Sequence, residues 1–595
     1  MHQRRLHENG SIVYRFRPHI EANGVIDLGL DASDEGGQLV AEGPPPTLAK
    51  NKQSLTVKAL REKRTPGIVP GVQMNRICLL GCFLTAVVVT AGDWTQWRGS
   101  QRNGVVADGV PLLDAWPESG PKLLWRSETI PSGDDGGHGS LVVTDGKAYI
   151  SLVWQDDQPS ENREINELIM RKLGHRSLAL PEPLIEKMEK DRLSLGPRLR
   201  GRRLTEWAEK WVTDNLDKNQ TKRVGSWIIS RFKKGKAAIP YADLRTLAQL
   251  GNQRFPNDAA LREWVTGRDI SNLAKRELLK AVPNSVRVAK DVVVCLDATT
   301  GKRLWKTETP GEPTGRKSSS TPCVAGGRLF TAGSTHAHCI DAGTGKQLWA
   351  TPLPSKGPAS SFLVADGTAF LLAGQLTAFD VKTGGILWRN KDVRGNASSP
   401  VLWTGKGVSQ VICSDRRAYV AVNPVTGETV WQTPGGGGDS TPVLSGDWMV
   451  VYSKDKQVGL AAYHLARDGA TQAWSFPMSE RRSQSTPVIY DRHAYLTGGE
   501  WHMCVELATG KRRWKESRQS TISSPVIADG KLIALEKKGS DLVMIDTNRK
   551  EHRELGRTRI KAMRCPSPVV VDGKLYLRMA DNLSCFDLRA KPGVQ

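Results

Sequence analysis

The sequence has few cysteines and only one long apolar run, and both shortages exclude whole classes of protein. Nine cysteines are present in 595 residues, and Cys78 and Cys82 lie inside the apolar run. The others are scattered between Cys295 and Cys585, which excludes a small fold held together by disulfides. A single apolar run excludes a protein with several membrane spans. Motifs of the types C-x-x-C-H, H-E-x-x-H, G-x-S-x-G and Walker A are also missing from the sequence, so it carries no common catalytic signature.

What the sequence does contain is globular in composition and rich in tryptophan. Hydrophobic residues make up 39% and charged residues 25%, which excludes wholesale disorder. The formal net charge is +22. Trp (18) outnumbers Phe (10) and Tyr (9), and 58 Gly and 33 Pro make the chain rich in turns. Such frequent use of a costly residue indicates a repeated structural position, so we expect an internal repeat.

The apolar run has the features of a secretory signal peptide, although it begins far from the first residue. Arg76 precedes the run from Ile77 to Ala91, which ends in small residues suited to cleavage. We predict a signal peptide over residues 74–91, with Met74 as the true start. Residues 1–73 show no apolar periodicity and are predicted to be a disordered tail or a mis-assigned start. The chain is expected to be exported to the periplasm or cell envelope.

Two short strings recur along the chain. One is a Ser/Thr-Pro-Val string followed by a turn and a short apolar run, as at Ser440-Thr441-Pro442-Val443. The other is D-x-x-T-G-x-x-x-W, and its tryptophans recur about every 40 residues. In this unit the Asp caps a turn, the Gly takes a left-handed conformation, and the Trp packs between neighbouring sheets. The predicted docking tryptophans are Trp125, Trp305, Trp349, Trp388, Trp431, Trp474 and Trp514.

A repeat of this length with alternating apolar strands predicts the blades of a propeller. We count eight innermost strands and therefore predict an all-β fold, an eight-bladed β-propeller of four-stranded antiparallel blades. The last blade ends near Asp587 without an outer strand, whereas Pro121 to Arg126 is an outer-strand sequence without a partner. Pairing the two would close the ring and remove two exposed sheet edges. The propeller is assigned to residues 92–154, its opening segment and part of the first blade, and to residues 290–590.

Residues 155–289 interrupt the first blade between its second and third strands. Apolar residues there follow helical spacing, as at Leu204, Trp207 and Trp211, and predict a small inserted α-helical domain with tryptophans in its core. The domain is basic, with its densest cluster at Lys233-Lys234-Gly235-Lys236. A basic surface suits an acidic protein or anionic lipid, so peripheral membrane contact through residues 155–289 stays open beside a merely solvated surface. Export argues against a nucleic-acid partner.

The repeated D-x-x-T-G-x-x-x-W unit resembles the tryptophan-docking repeat of the pyrroloquinoline-quinone (PQQ) propellers. The segment Asp93-Trp94-Thr95-Gln96-Trp97-Arg98-Gly99 is also similar to the N-terminal segment of exported members. That family includes quinoprotein alcohol dehydrogenases and the non-enzymatic propeller lipoprotein of the outer-membrane β-barrel assembly machinery. The resemblance covers residues 93–154 and 290–590. It implies the fold and leaves the activity open.

Cationic residues recur in the loops that lead into the innermost strands, six or seven positions before the strand begins. Because equivalent positions in a closed ring converge around the central channel, we expect these residues to form a basic collar. Such a collar favours an anionic ligand or partner, and a solvated loop surface is the alternative. The collar residues are Arg316, Lys356, Arg394, Arg481, Arg518 and Lys561.

The remaining candidate residues have simpler explanations. His336 and His338 lie on one face of a strand, but no third ligand is apparent. Four cysteines lie two residues before the turn motif, where other copies mostly carry Ala, which indicates a small buried position: Cys295, Cys339, Cys504 and Cys585. We therefore predict no catalytic residues and no metal site.

Three functions remain open. The first, which we expect, is a monomeric, non-catalytic scaffold for protein or anionic envelope components, without a cofactor. The second is a PQQ-dependent oxidoreductase of alcohols or sugars; the resemblance implies PQQ with calcium, and the collar would suit the carboxylates of PQQ. The adjacent Cys-Cys pair of those dehydrogenases is absent here, however. The third is a ligand sensor or polysaccharide binder.

Overall fold

The computed structural model describes residues 93–590 except 108, 131–135, 178–179, 314–319, 356–357, 479–484, 500 and 519–522, together with the backbone of four strands upstream. The chain divides into one unit over Met1–Val88 and another over Val89–Gln595. In the first unit, Arg4–Leu6 pairs with Ile12–Tyr14, and Val25–Leu28 pairs with Leu39–Gly43. The rest of the predicted tail (1–73) and the predicted signal peptide (74–91) lie outside the described residues.

The described part of the second unit is built mainly from eight four-stranded antiparallel sheets, so the chain is predominantly β. In sheets 1–7 the strands lie side by side in chain order, and the first strands of successive sheets lie near one another. Sheet 1 consists of Val142–Thr144, Lys147–Pro159, Ser285–Asp297 and Arg303–Gly311, and sheet 2 of Cys323–Ala325, Arg328–Ala332, His336–Asp341 and Gln347–Pro352. Sheet 3 consists of Leu363–Ala365, Thr368–Ala373, Gln375–Asp380 and Ile386–Asn390, and sheet 4 of Val401–Gly405, Val408–Ser414, Ala418–Val422 and Thr429–Pro434.

The other four sheets follow the same plan, except that sheet 8 takes its fourth strand from far upstream. Lys122–Arg126 pairs with Leu583–Asp587 and sets Trp125 opposite Cys585, which is the pairing predicted for this segment. Sheet 5 consists of Val443–Ser445, Trp448–Tyr452, Leu460–Ala466 and Gly469–Phe476, and sheet 6 of Val488–Tyr490, His493–Gly498, Trp501–Glu506 and Arg512–Ser517. Sheet 7 consists of Val526–Ala528, Lys531–Glu536, Asp541–Asp546 and Glu554–Arg559, and sheet 8 of Val569–Val571, Lys574–Arg578, Leu583–Asp587 and Lys122–Arg126.

A hydroxyl residue just before each first strand links one sheet to the next. The backbone N–H of Ser140 donates to Thr321 Oγ1 of sheet 2 at 2.8 Å, and the pattern repeats until the N–H of Ser567 donates to Ser140 Oγ at 2.8 Å. These hydrogen bonds satisfy buried N–H groups that have no strand partner. We call the eight residues the hydroxyl ring: Ser140, Thr321, Ser361, Ser399, Thr441, Thr486, Ser524 and Ser567.

The tryptophans of the fourth strands form a second set of links between neighbouring sheets. In six cases the indole N–H donates to a backbone carbonyl in the turn of the next sheet, as from Trp349 to Val381 at 3.1 Å. Trp431 differs: its N–H donates to Gln410 Oε1 at 2.8 Å, and Gln410 in turn donates to the carbonyl of Arg467 in the next turn. A β-bulge directly before each of these tryptophans aims the indole at the neighbouring sheet.

The inserted segment is an α-helical module carried by sheet 1. The second and third strands of that sheet continue outward to Pro159 and from Ser285, so the ends of segment 155–289 belong to the sheet. Arg163–Ile165 and Gln253–Phe255 form a small ladder at the root of the module. Its α-helices are Glu167–Leu173, Glu182–Ser194, Arg202–Asn215, Lys218–Gln220, Ser226–Lys234, Tyr241–Gln249, Asp258–Thr266 and Asn272–Ala281.

The module has a hydrophobic core of its own. Trp211 and Phe232 are buried in it, and Trp207, Trp227 and Trp264 pack against it. This is the core position that the helical spacing predicts for the tryptophans. None of the helices in the described part of the chain is long and apolar enough to cross a membrane.

Candidate binding site around the first strands

Because successive strands run in opposite directions, three features of the chain lie at the same end of the sheets. The loops that lead into the first strands lie at the same end of the sheets as the connections between second and third strands. We call this end the upper face. The hydroxyl ring, the predicted collar and the root of the helical module all belong to it.

The N-terminal segment 94–106 lies along the free edges of first strands. Trp94 exchanges two backbone hydrogen bonds with Val143 of sheet 1, and Gly104 and Val106 bind Ile527 of sheet 7. The space beside these strands is therefore filled by the protein's own chain.

This segment buries two arginines next to the hydroxyl ring. Arg98 is 1% exposed and donates to the carbonyls of Thr486, Pro487 and Pro525 at 2.6–3.3 Å. Arg102 is 5% exposed and donates to the carbonyl of Phe362 at 2.5 Å. Every protein carbonyl carries only a partial charge, so these contacts hold the guanidinium groups without neutralising them.

Both arginines keep their charge near neutral pH. Burial lowers the pKa of Arg98 to about 9 and the pKa of Arg102 to about 10. No carboxylate among the described residues forms an ion pair with either side chain. Two positive charges with no carboxylate partner in the described part of the chain therefore lie beside the first strands. Sequence reasoning missed them, because they fall in the N-terminal segment and follow no repeat.

The structure describes three of the six predicted collar residues. Arg316, Lys356 and Arg481 lie outside the described residues. Arg394 is exposed, and its Nε donates to the carbonyl of Lys391 at 3.1 Å. Lys561 is exposed in a left-handed conformation with φ of 57°.

Arg518, the remaining collar residue, lies in a cluster of mixed charge between sheets 6 and 7. It contacts Glu554 at 3.9 Å and His552 Nδ1 at 3.4 Å. Arg557 in the same cluster bonds Glu554 at 2.7 Å and Glu536 at 2.8 Å. This part of the upper face therefore carries acidic groups that offset the collar, and the sequence pattern showed only the cations.

His502 is the most deeply buried titratable group of that cluster. It is fully buried, with Nδ1 3.3 Å from His552 Nε2 and Nε2 3.6 Å from Glu536 Oε1. Burial, helped by the neighbouring charges of His552, Arg518 and Arg557, lowers the pKa of His502 to about 3. The imidazole is therefore neutral at pH 7.

The four turn-motif cysteines occupy the small buried positions that their spacing indicates. Each is fully buried, and burial raises the pKa values of the thiols, to about 12 for Cys295 and about 11 for Cys339. Such thiols are poor nucleophiles and poor metal ligands.

The histidine pair has a partner that the sequence did not reveal. His338 Nε2 lies 3.3 Å from Oδ2 of buried Asp291, whose Oδ1 accepts the N–H of Ser334 at 2.7 Å. No group of three or more His, Cys, Asp or Glu within the described ranges is placed to hold a metal ion.

Solved structures with a similar arrangement include natural and designed proteins. BamB from Moraxella catarrhalis matches 51% of this chain and 90% of its own, with 15% identity and a TM-score of 0.42. A europium-containing methanol dehydrogenase matches 49% of this chain and 80% of its own, with 13% identity and a TM-score of 0.37. The computationally designed Ika8 protein matches 50% and 93%, with 10% identity and a TM-score of 0.38.

Similarity at the level of sequence comes from a protein family. No curated protein matches the chain. A family model described as outer membrane protein assembly factor BamB matches residues 289–408 and 373–591, just over half of the chain. The matched residues span most of the third strand and all of the fourth strand of sheet 1, sheets 2 to 7, and the first three strands of sheet 8. The chain therefore belongs to this BamB-type family of PQQ-like repeat propellers.

Proposed function

We propose that the eight sheets close into an eight-bladed propeller, and that the chain is an exported, non-catalytic scaffold. Its upper face would bind an acidic protein or another anionic component of the cell envelope, with the chain as a monomer. The description of the family as an outer membrane assembly factor supports a location in the envelope. The hydroxyl ring supports closure, because its last hydrogen bond returns to its first residue.

The observation that carries the proposal is the packing of residues 94–106. This segment fills the space beside the first strands and leaves Arg98 and Arg102 charged next to the hydroxyl ring, without a carboxylate partner among the residues that the structure describes. Uncompensated cations in a region of low dielectric attract anions more strongly than cations in water do. A partner is then bound at the surface of the upper face, where the helical module adds further basic residues.

The test compares two charge-reversal variants that change the net charge equally. One replaces the collar residues Arg316, Arg394 and Arg481 by Glu. The control replaces Lys302, Lys346 and Lys382 by Glu; these exposed lysines lie in the turns between third and fourth strands, at the opposite end of the sheets. Binding of the full chain to a polyglutamate peptide and to vesicles with phosphatidylglycerol is measured at low ionic strength.

We expect the collar variant to bind the acidic probe at least about tenfold more weakly, and the control variant to stay within about twofold of the wild type. If the collar variant binds only the peptide more weakly, the partner is an acidic protein. If it binds only the vesicles more weakly, the partner is an anionic lipid surface. Equal losses in both variants would show attraction by net charge only and would contradict the proposal. Unchanged binding by the collar variant would contradict it as well.

A further inference from the structure

Arg578 is an exception within the repeat. It ends the second strand of sheet 8, two residues after Tyr576, which pairs with Val569 of the first strand. The same register identifies the matching residue in every other sheet, and none of these residues is charged: Ser151, Ala332, Leu372, Ser414, Tyr452, Thr497 and Leu535. The repeat itself therefore has no structural need for a cation at this position.

The Arg578 side chain is buried and only partly bonded. It is 3% exposed, and its Nη1 donates to the carbonyl of Gly139 at 2.9 Å. Its Nε and Nη2 have no hydrogen-bond partner among the described residues. These two nitrogens share one edge of the guanidinium group, and their N–H bonds point in parallel. That edge matches the two oxygens of a carboxylate or phosphate.

Leaving this edge empty is costly. A buried guanidinium whose three N–H groups on Nε and Nη2 are unbonded loses its hydration without replacement, which is rare in folded proteins. Burial lowers the pKa of Arg578 to about 10, so the group is still a cation at neutral pH. No ion pair with a carboxylate is formed by Arg578 in the part of the chain that the structure describes. The positive charge and the unbonded edge together suit an oxyanion.

The position of Arg578 links it to the upper face. Gly139 directly precedes Ser140 of the hydroxyl ring, so the guanidinium is anchored where sheet 8 meets sheet 1. The carbonyl of Arg578 accepts the N–H of Met563, which follows the collar residue Lys561 by two positions. Arg98 differs from Arg578, because both of its Nη atoms donate to carbonyls.

We propose that the Nε–Nη2 edge of Arg578 binds an oxyanion, the carboxylate or phosphate group of an external ligand. The site stands apart from the proposed scaffold function, because Arg578 is buried and is not one of the predicted collar residues.

Calorimetric titration of the full chain with inorganic phosphate and with acetate tests the proposal. We expect one molecule of at least one anion to bind per chain, and Arg578→Met to weaken that binding at least about tenfold. Arg578→Lys keeps the charge and lacks the bidentate edge, so we expect its affinity for the anion to lie between those of the wild type and Arg578→Met. Arg416→Met, which removes an exposed arginine of the same face that is not a collar residue, should bind as the wild type does. Tighter binding of phosphate or of acetate identifies which oxyanion the ligand carries.

Thermal unfolding supplies a readout that does not require tight binding. Added anion should raise the melting temperature of the wild type and of Arg416→Met, and leave that of Arg578→Met unchanged. If Arg578→Met does not fold, Arg578→Lys carries the test. Absence of binding by the wild type, or equal binding by the wild type and both Arg578 variants, would overturn the proposal.

Discussion

Trp388 and Gly427 belong to neighbouring sheets and touch so closely that the glycine has no room for a side chain. A Cβ at Gly427 would lie 2.5 Å from the indole Cδ2 of Trp388. The indole N–H also donates to the carbonyl of Pro424, in the same turn, at 3.0 Å. The glycine thus has two roles, since it takes a φ of +77° and forms the surface on which the tryptophan lies.

We expect Gly427→Ala to destabilise the protein clearly more than Gly407→Ala does. Both glycines have nearly the same φ, +77° and +76°, so the backbone strain of a side chain is matched. A Cβ at Gly407 meets nothing within 4 Å, whereas a Cβ at Gly427 clashes with Trp388. The difference in unfolding free energy should be about 1–3 kcal/mol, measured by urea unfolding. Equal losses of unfolding free energy in the two variants would show that the sheets adjust to the extra methyl group at Gly427.

The hydroxyl ring should contribute measurably to stability. Thr441→Val keeps the shape of the side chain but removes the acceptor of the Ser399 N–H, which lies at 2.8 Å. The buried N–H is then unsatisfied, at a cost of about 1–3 kcal/mol.

Thr377→Val is the matched control for this substitution. The Thr377 hydroxyl is equally buried and has no hydrogen-bond partner within the described ranges, so we expect its removal to be neutral or slightly stabilising. Urea unfolding of the two variants checks this, and similar effects in both would argue against the ring.

His502 should make the protein sensitive to acid. Its pKa is lowered from 6.5 to about 3 in the folded chain, so the unfolded chain takes up the proton first as the pH falls below 6.5. Stability from this residue is complete above pH 6.5 and declines toward pH 3, with a loss of about 2 kcal/mol at pH 5. His502→Gln should therefore lose less stability between pH 7 and pH 5 than the wild type does.

His464→Gln is the control for the pH experiment, because the His464 side chain is exposed. Its loss of stability between pH 7 and pH 5 should equal that of the wild type. Glu536, His552, Arg518 and Arg557 face His502 and are unchanged in both variants. An unchanged pH profile of His502→Gln would show that His502 does not titrate as the burial implies.

The scaffold proposal also predicts the result of an enzymatic assay. The purified chain, supplied with PQQ and calcium, should show no cofactor absorbance after gel filtration and should not reduce an artificial dye with alcohols or sugars. The physical reason is that residues 94–106 already fill the space beside the first strands. Stoichiometric uptake of PQQ with dye reduction would support the oxidoreductase alternative.

Much of the sheet architecture could be predicted from the sequence because its signals are local. In the turn at Asp297, the carboxylate accepts the N–H groups of Thr299 and Thr300, and Gly301 takes a φ of +73°. These contacts lie within a few residues, so the string itself specifies them. The partner strand of Leu583–Asp587 was also predictable, since only one outer-strand sequence lacked a sheet.

The candidate sites were less accessible to sequence reasoning. The Ser/Thr-Pro string was visible, but the role of its hydroxyl groups was not, because each hydrogen bond of the ring joins residues of different sheets. Arg518 was predicted as a collar cation, and the structure adds Glu554 and His552 beside it. Arg578 carried no signal at all, since nothing in its neighbourhood along the chain marks it as buried.

The sequence by itself determined the repeat, the turns, the tryptophan contacts and the presence of a helical insertion. Each of these depends on the local geometry of a few consecutive residues or on a period of hydrophobic positions. Only the tertiary structure decided which charges are compensated and which are not, as for Arg518, Arg98 and Arg578. Charge compensation depends on distance and burial, and the groups that set both for a given arginine come from sheets far apart in the chain.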